Sequence, residues 1–91
     1  MKATDDQKND LLYMLEHYET TFEFTKKDGS KRLIVCTRNG EFTPAVATPA
    51  PRHEILEATS CPVFDLLLSE WRSFSWDAVD YDTIRRQSLL F

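Results

Sequence analysis

Two runs of alternating apolar and polar residues flank an Asp-Gly pair, and this segment constrains the fold more than any other. Residues 21–37 read TFEFTKKDGSKRLIVCT. Asp28-Gly29 favours a two-residue hairpin loop, because a type I′ turn requires positive φ at both central positions. Counting outward from that loop places four apolar side chains on one face of a ribbon. The predicted facing pairs are Phe24 with Leu33 and Phe22 with Val35.

The N-terminal segment is predicted to form an amphipathic helix over about 5–18. Thr4 and Gln7 have the S/T-x-x-E/Q spacing of a capping box, and leucines follow at helical spacing. A helix of this length is marginal by itself, so its apolar stripe must dock on another element. We expect it to cover Ile34 and Cys36, which the two-residue loop places on the opposite face from the four paired side chains.

A long connector and a second hairpin follow. The connector over 39–60 contains Pro44, Pro49 and Pro51, which are incompatible with a central strand or a continuous helix. One helical turn fits residues 53–58. Strands are predicted over 63–68 and 71–76, with one more short strand within 77–84 and a frayed or partner-dependent end over 85–91.

Two registers of the second hairpin remain open. A three-residue loop over 69–71 pairs Leu66 with Phe74 and Phe64 with Trp76, whereas a four-residue loop sets Asp65 opposite Arg72. Burial of two more rings is worth several kcal/mol and an exposed ion pair at most about 1 kcal/mol, which favours the aromatic arrangement. Either register gives a single domain over 1–91 that is mainly β with an N-terminal α-helix. The predicted architecture is a small SH3-like or Sm-like barrel of four to five bent antiparallel strands over about 20–84.

The charge of the chain is unevenly distributed. Its net charge is −4, which argues against strong, non-specific binding of nucleic acid. Residues 26–38 nevertheless carry five basic side chains and one acidic side chain. The segments on either side, 1–25 and 39–91, carry a net charge of −4 each. A basic hairpin in an acidic chain is either a solubilising tip or a binding patch.

Chemical motifs for catalysis, metals or cofactors are weak in this sequence. Cys36 and Cys61 lack metal-ligand spacing and are predicted to be small core residues with reduced thiols. His17 is predicted at the helix surface, and His53 beside Glu54 is not expected to form a catalytic pair, because adjacent residues seldom converge on one substrate. These weak motifs predict a non-catalytic protein without a cofactor or metal. The sequence has no apolar leader and no membrane-spanning run, so we expect a cytoplasmic protein without a membrane partner.

The motifs FTKKDGSKR, CT, VFD and WRSF together resemble a family of small phage-encoded proteins. That family is assigned an Sm-like SH3 β-barrel fold and is related to WYL domains, and the resemblance covers roughly residues 20–80. The matching positions are Lys26, Lys27, Asp28, Gly29, Arg32, Cys36, Thr37, Asp65, Trp71, Arg72, Ser73 and Phe74. The resemblance implies the barrel fold, a phage origin with a host-cytoplasm location, and a role related to nucleic acids.

Two binding hypotheses follow from the residues. In the first, basic side chains bind the phosphates of DNA or RNA, and Trp71 or Tyr81 stacks on a base. The predicted contacts are Lys26, Lys27, Lys31, Arg32, Arg38, Trp71 and Arg72. The alternatives are that Trp71 packs in the core and that Arg72 pairs with Asp65.

In the second hypothesis, the acidic helix and the acidic C-terminal segment bind a host protein, such as a transcription or defence component. A homo-oligomer formed by strand addition at a sheet edge is compatible with either hypothesis.

Overall fold

The computed structural model describes residues 2–44 and 50–89, in which the predicted helix precedes the strands. Helix α1 (Asp5–His17) begins at the predicted capping box, which is confirmed. Thr4 Oγ1 accepts a hydrogen bond from the Gln7 amide at 3.1 Å, and the Gln7 side chain accepts one from the Thr4 amide at 3.0 Å. The helix then packs on the sheet through three fully buried residues: Leu11, Leu12 and Leu15.

Within the described ranges, five antiparallel strands form one open sheet. They are β1 (Glu19–Thr25), β2 (Lys31–Thr37), β3 (Ser60–Asp65), β4 (Glu70–Ser75) and β5 (Val79–Gln87). Their order is β4-β3-β2-β1-β5, so β4 and β5 are the edges. Helix α2 (Arg52–Glu57) lies in the predicted connector, and a 3₁₀ turn (Trp76–Ala78) joins β4 to β5. The predicted class, mainly β with an N-terminal helix in a small SH3-like or Sm-like barrel, is confirmed.

The loop of the first hairpin is one residue longer than predicted. The Lys26 amide donates a hydrogen bond to the Ser30 carbonyl at 2.8 Å, and the Gly29 amide donates one to the Lys26 carbonyl at 2.9 Å. Gly29 has φ +88°. A turn that ends in a glycine at positive φ is the usual three-residue hairpin loop, which carries a bulge at the glycine.

The predicted register of this hairpin is therefore wrong by one residue. Phe22 lies opposite Ile34, and Phe24 lies opposite Arg32. Since neighbouring residues of a strand point to opposite faces, a one-residue shift exchanges the faces of β2. Ile34 and Cys36 are buried on the same face as Phe22, whereas Leu33 is 57 % exposed.

Both registers considered for the second hairpin are also wrong. A four-residue turn over 66–69 sets Asp65 opposite Glu70. Asp65 Oδ1 accepts hydrogen bonds from the amides of Leu67 and Leu68, each at 3.0 Å, and these bonds stabilise the turn at an earlier position than predicted. The partners change accordingly: Val63 lies opposite Arg72, Phe64 opposite Trp71 and Cys61 opposite Phe74.

The last strand extends into the segment that was predicted to be frayed. Arg85 lies opposite Thr21 and Arg86 lies opposite Thr20, so the tail prediction is wrong for residues 85–87. The Arg86 guanidinium lies 4.8 Å from the centre of the Tyr18 ring, which adds a cation–π contact. Residues 45–49 of the predicted connector and 90–91 of the predicted tail lie outside the described residues.

The core lies between α1 and the curved sheet. The Phe22 and Phe74 rings meet edge to face with 5.0 Å between their centres, and Phe74 meets Trp76 in the same way at 5.3 Å. Trp76 Nε1 donates a hydrogen bond to the Ile55 carbonyl at 3.2 Å, which attaches α2 to the core. Both cysteines are fully buried, as predicted: Cys36 and Cys61.

Candidate functional site

An open cleft of about 540 Å³ lies between the tip of the first hairpin and strand β4. Its lining combines basic, acidic and apolar side chains: Phe24, Lys26, Lys27, Arg32, Ile34, Glu70, Trp71, Arg72 and Ser73. We call it the cationic cleft. Most of the predicted nucleic-acid contacts meet there, namely Lys26, Lys27, Arg32, Trp71 and Arg72.

The strand registers explain why residues far apart in the sequence meet at this cleft. Asp65 on β3 lies opposite Cys36 on one side and opposite Glu70 on the other. Because every second side chain of a strand points to the same face, Arg32 shares the face of Cys36, and Arg72 shares the face of Glu70. The two arginines therefore lie on one face of the sheet, although Arg32 is on β2 and Arg72 is on β4, with β3 between them.

Arg32 forms the floor of the cationic cleft through an ion pair with Asp65. Arg32 Nη2 lies 2.9 Å from Asp65 Oδ2, and the exposed fractions of the two side chains are 27 % and 2 %. The sequence had offered Arg72 as the partner of Asp65, and that pairing is wrong. The shifted register of both hairpins brings Arg32 to the buried carboxylate instead.

Arg72 forms a second, more exposed ion pair at the rim. Its Nη2 lies 2.6 Å from Glu70 Oε1, and the side chains are 40 % and 53 % exposed. Ion pairs that are this accessible to water contribute little to stability, at most about 1 kcal/mol. Arg72 can therefore exchange Glu70 for an anionic ligand at small cost.

Trp71 is partly exposed, so the alternative in which it is a core residue is wrong. Its ring packs edge to face on the Phe64 ring with 5.7 Å between the centres. This contact fixes the indole at the edge strand while part of it stays open to solvent. A partly exposed indole that is held in place provides a stacking surface at low entropic cost.

The hairpin tip adds two exposed lysines, Lys26 and Lys27. The acidic residue beside them, Asp28, is engaged by the turn: its Oδ1 accepts hydrogen bonds from the Ser30 amide at 2.9 Å and from the Ser30 hydroxyl at 2.5 Å. These bonds, with a smaller contribution from the charge of Lys26, hold the pKa of the Asp28 carboxyl below its usual value. Asp28 is ionised but directed into its own turn.

Three residues that were considered as ligand contacts lie elsewhere. Lys31 Nζ is 3.9 Å from Asp80 Oδ2 and lines a separate cavity of about 510 Å³ near the start of α1. Tyr81 lines that same cavity, and its hydroxyl donates a hydrogen bond to the Trp76 carbonyl at 2.8 Å. Arg38 donates from its guanidinium to the Pro62 carbonyl and is not among the residues that line the cationic cleft.

Sequence reasoning did not assign Phe24, Ile34, Glu70 and Asp65 to the site. The alternation of side chains along the strands could have identified these neighbours of Arg32, but only with the strand register known. A three-residue loop places Phe24 opposite Arg32, whereas the predicted two-residue loop placed Thr25 there. A charged residue within an otherwise apolar strand, such as Asp65, was the other sequence feature that could have indicated a site.

The groups considered for catalysis do not form a site. Burial raises the pKa of the Cys61 thiol to about 12 and raises that of Cys36 as well, which makes both thiols poor nucleophiles. His53 is exposed on α2. Over residues 2–44 and 50–89, no three His, Cys, Asp or Glu side chains lie close enough together to hold a metal ion. In the same ranges no helix combines the length and apolar character needed to cross a bilayer.

Comparison with known proteins identifies the family. No curated protein and no solved structure shows significant similarity to the chain. One family model, described as WYL_2, Sm-like SH3 beta-barrel fold, matches residues 8–79. The match includes α1 from Lys8 onward, strands β1 to β4 and every residue that lines the cationic cleft. The chain therefore belongs to the WYL_2 family of Sm-like SH3 β-barrel domains.

Proposed function

We propose that the protein is a non-catalytic module that binds single-stranded DNA or RNA in the cationic cleft. The observation that carries this proposal is the convergence of four basic residues and two aromatic residues, from three strands and a turn, on one open cleft. Single strands are bound by the combination of a positive groove, which follows the phosphates, and aromatic side chains, on which bases stack. The proposal includes a phage origin and a location in the host cytoplasm.

Each part of the cleft has a role in this mechanism. Lys26 and Lys27 attract the backbone at the exposed tip, and Arg72 binds a phosphate after it leaves Glu70. One base lies against Phe24, which is opposite Arg32 and shares its face, and a neighbouring base stacks on the Trp71 ring at the other face of the edge strand β4. A duplex keeps its base faces stacked inside, so it gains only the phosphate contacts, and a single strand binds more tightly.

The acidic remainder of the chain supports a local site. Four basic side chains and one acidic side chain line the cleft, and Asp65 beneath it adds a second acidic group. This leaves an excess of two positive charges at the cleft in a chain whose net charge is −4. Phosphates are repelled elsewhere on average, so the strand is directed to the cleft.

A charge reversal in the cleft tests the proposal, and the hairpin supplies its control. Lys27→Glu is expected to weaken the binding of a short fluorescent oligothymidylate at least about tenfold, the scale of one lost phosphate contact plus one new repulsion. Lys31→Glu makes the same charge change on the same hairpin but outside the cleft, so its effect should be less than about threefold. Fluorescence anisotropy at about 0.15 M salt, where the Debye length is about 8 Å, measures both. Equal losses in the two variants, or no binding by the wild type, contradict the proposal.

A second candidate function is the binding of a host protein through acidic surfaces. It is favoured by the exposed outer face of α1, which presents Asp5, Asp6 and Asp10 to solvent. Reversing these three charges to lysine would abolish co-purification with a basic partner but would leave binding of the oligonucleotide intact or stronger. Self-association through the open edges β4 and β5 is compatible with both functions, and sedimentation of the wild type measures it.

A further inference from the structure

Asp65 is an unusual residue at the base of the cationic cleft. Over residues 2–44 and 50–89, it is the only charged residue that is fully buried, with 1 % of its surface exposed. A buried carboxylate is costly unless charge and hydrogen bonds compensate for its lost hydration. The residues around Asp65 provide both, which indicates that its position serves a purpose beyond packing.

The two oxygens of this carboxylate have different partners. Oδ1 accepts hydrogen bonds from the Leu67 and Leu68 amides and so belongs to the β3–β4 turn. Oδ2 accepts one from Arg32 Nη2 at 2.9 Å. The carboxylate is fixed by the turn through one oxygen and holds the guanidinium through the other. Its position is therefore set by the backbone, not by Arg32.

The guanidinium of Arg32 keeps most of its donors for a ligand. Of its five N–H groups, the hydrogen bond to Asp65 uses one, and Arg32 has no further acceptor in the described part of the protein. Arg32 lines the cleft, whereas Asp65 is not among the lining residues. Arg32 is thus placed to contact a ligand, and Asp65 is placed to orient Arg32.

We propose that Asp65 is the positioning residue of the cleft and fixes Arg32 in the orientation that binds a phosphate of the nucleic acid through paired hydrogen bonds. This inference rests on the proposed function for its ligand. Arginine gains affinity and geometric specificity from such paired contacts, which a lysine cannot make. A guanidinium that is already held in place loses less entropy when the ligand binds.

Positioning and simple electrostatics make opposite predictions for Asp65→Asn. The asparagine keeps an oxygen for the Leu67 and Leu68 amides and removes one negative charge close to the ligand. If the charge alone mattered, the affinity for oligothymidylate would rise. If Asp65 positions Arg32, the affinity falls about tenfold, the scale of one charged hydrogen bond.

The control for the charge effect is Glu70→Gln, which removes an exposed negative charge from the same cleft. We expect tighter binding in this variant and weaker binding in Asp65→Asn. Tighter binding in both variants overturns the proposal. Arg32→Lys, which keeps the charge without the planar fork, should remain folded and bind about tenfold more weakly, and wild-type affinity in this variant also overturns the proposal. Arg32→Lys decides the question if Asp65→Asn fails to fold.

Nitrogen-15 NMR of the free protein separates failure of this inference from failure of the proposed function. A guanidinium held by Asp65 through Nη2 rotates slowly about its Nε–Cζ bond and gives distinct Nη1 and Nη2 signals for Arg32, which merge in Asp65→Asn. Merged signals in the wild type overturn the inference whatever the protein binds. Distinct wild-type signals without any binding of oligothymidylate retain the positioning role of Asp65 and reject the nucleic-acid function.

Discussion

Cys36 and Cys61 illustrate how the environment of a single residue decides its chemistry. Cys36 Sγ donates to the Thr20 carbonyl and Cys61 Sγ to the Pro62 carbonyl, each at 3.6 Å. Burial raises the pKa of both thiols, and for Cys61 the folded-state pKa is about 12 compared with an ordinary value of 9.0. The folded chain therefore retains these thiol protons at a pH where the unfolded chain releases them.

The stability of the protein should consequently decline at alkaline pH. The stabilising contribution of a raised pKa is complete below the unfolded value of 9.0 and is lost as the pH rises towards about 12. Each thiol contributes a slope of at most about 1.4 kcal/mol per pH unit. Urea unfolding at about pH 8 and about pH 10 measures the decline.

Cys61→Ala provides the comparison for this pH dependence, because Tyr81, whose pKa burial also raises to about 12, titrates over the same range. The variant should be less stable at every pH but should lose less stability between the two pH values. Reaction with a thiol reagent gives an independent check: both cysteines should react only after unfolding. Rapid labelling of the native protein would contradict their burial.

At the scale of the elements, the first hairpin depends on the backbone conformation of one glycine. Neither Gly29 nor Gly40 has any atom within 4 Å of the place where a Cβ would stand, but only Gly29 has positive φ, at +88°. Gly29→Ala should therefore lower the free energy of unfolding by about 1–2 kcal/mol through strain alone. Gly40→Ala should change it by less than about 0.5 kcal/mol, and chemical denaturation of both variants measures the difference. Equal effects would contradict the assigned turn.

The same turn shows what the sequence could and could not predict. Asp28-Gly29 correctly located a hairpin, since few other residue pairs favour a tight turn there. It did not determine whether the loop has two or three residues, because β2 contains apolar residues on both faces: Leu33 and Val35, or Ile34 and Cys36. Pairing between β1 and β2 alone is compatible with either set of apolar residues on the buried face. Packing against the α1 leucines and β3 decides for Ile34 and Cys36, and such long-range contacts are not visible in the local pattern.

The exposed lysines of the candidate site could be predicted from the sequence, but the arrangement of its strand residues could not. Lys26 and Lys27 were identified from charge alone, because a hairpin tip is exposed in any register. Lys31 and Arg32 are neighbours on β2, so only the register decides which of them reaches the cleft. The Asp65 pair was missed since its carboxylate is positioned by a turn that begins earlier than the sequence pattern indicated.

On the scale of the whole molecule, the fold concentrates opposite charges in different places. Basic residues meet at the cationic cleft, while the exposed face of α1 and the second cavity carry acidic residues, including Asp77, Asp80 and Asp82 beside that cavity. A chain with this distribution has a dipolar surface and a negative total charge. Under the proposed function, its encounter with nucleic acid depends on orientation, and the cleft is the surface expected to release counterions from the strand.

The salt dependence of binding should reflect this small contact. The cleft is lined by four basic side chains, and each phosphate neutralised on a single strand contributes about −0.7 to the slope of log K against log salt concentration. The slope for oligothymidylate should therefore be no steeper than about −3, and Lys27→Glu should make it shallower by about one contact. Anisotropy titrations over a series of salt concentrations measure both slopes. A markedly steeper slope would require contacts beyond the cleft, for example at Lys31, Arg85 or Arg86, and a slope near zero would mean that the ligand is not held through its phosphates.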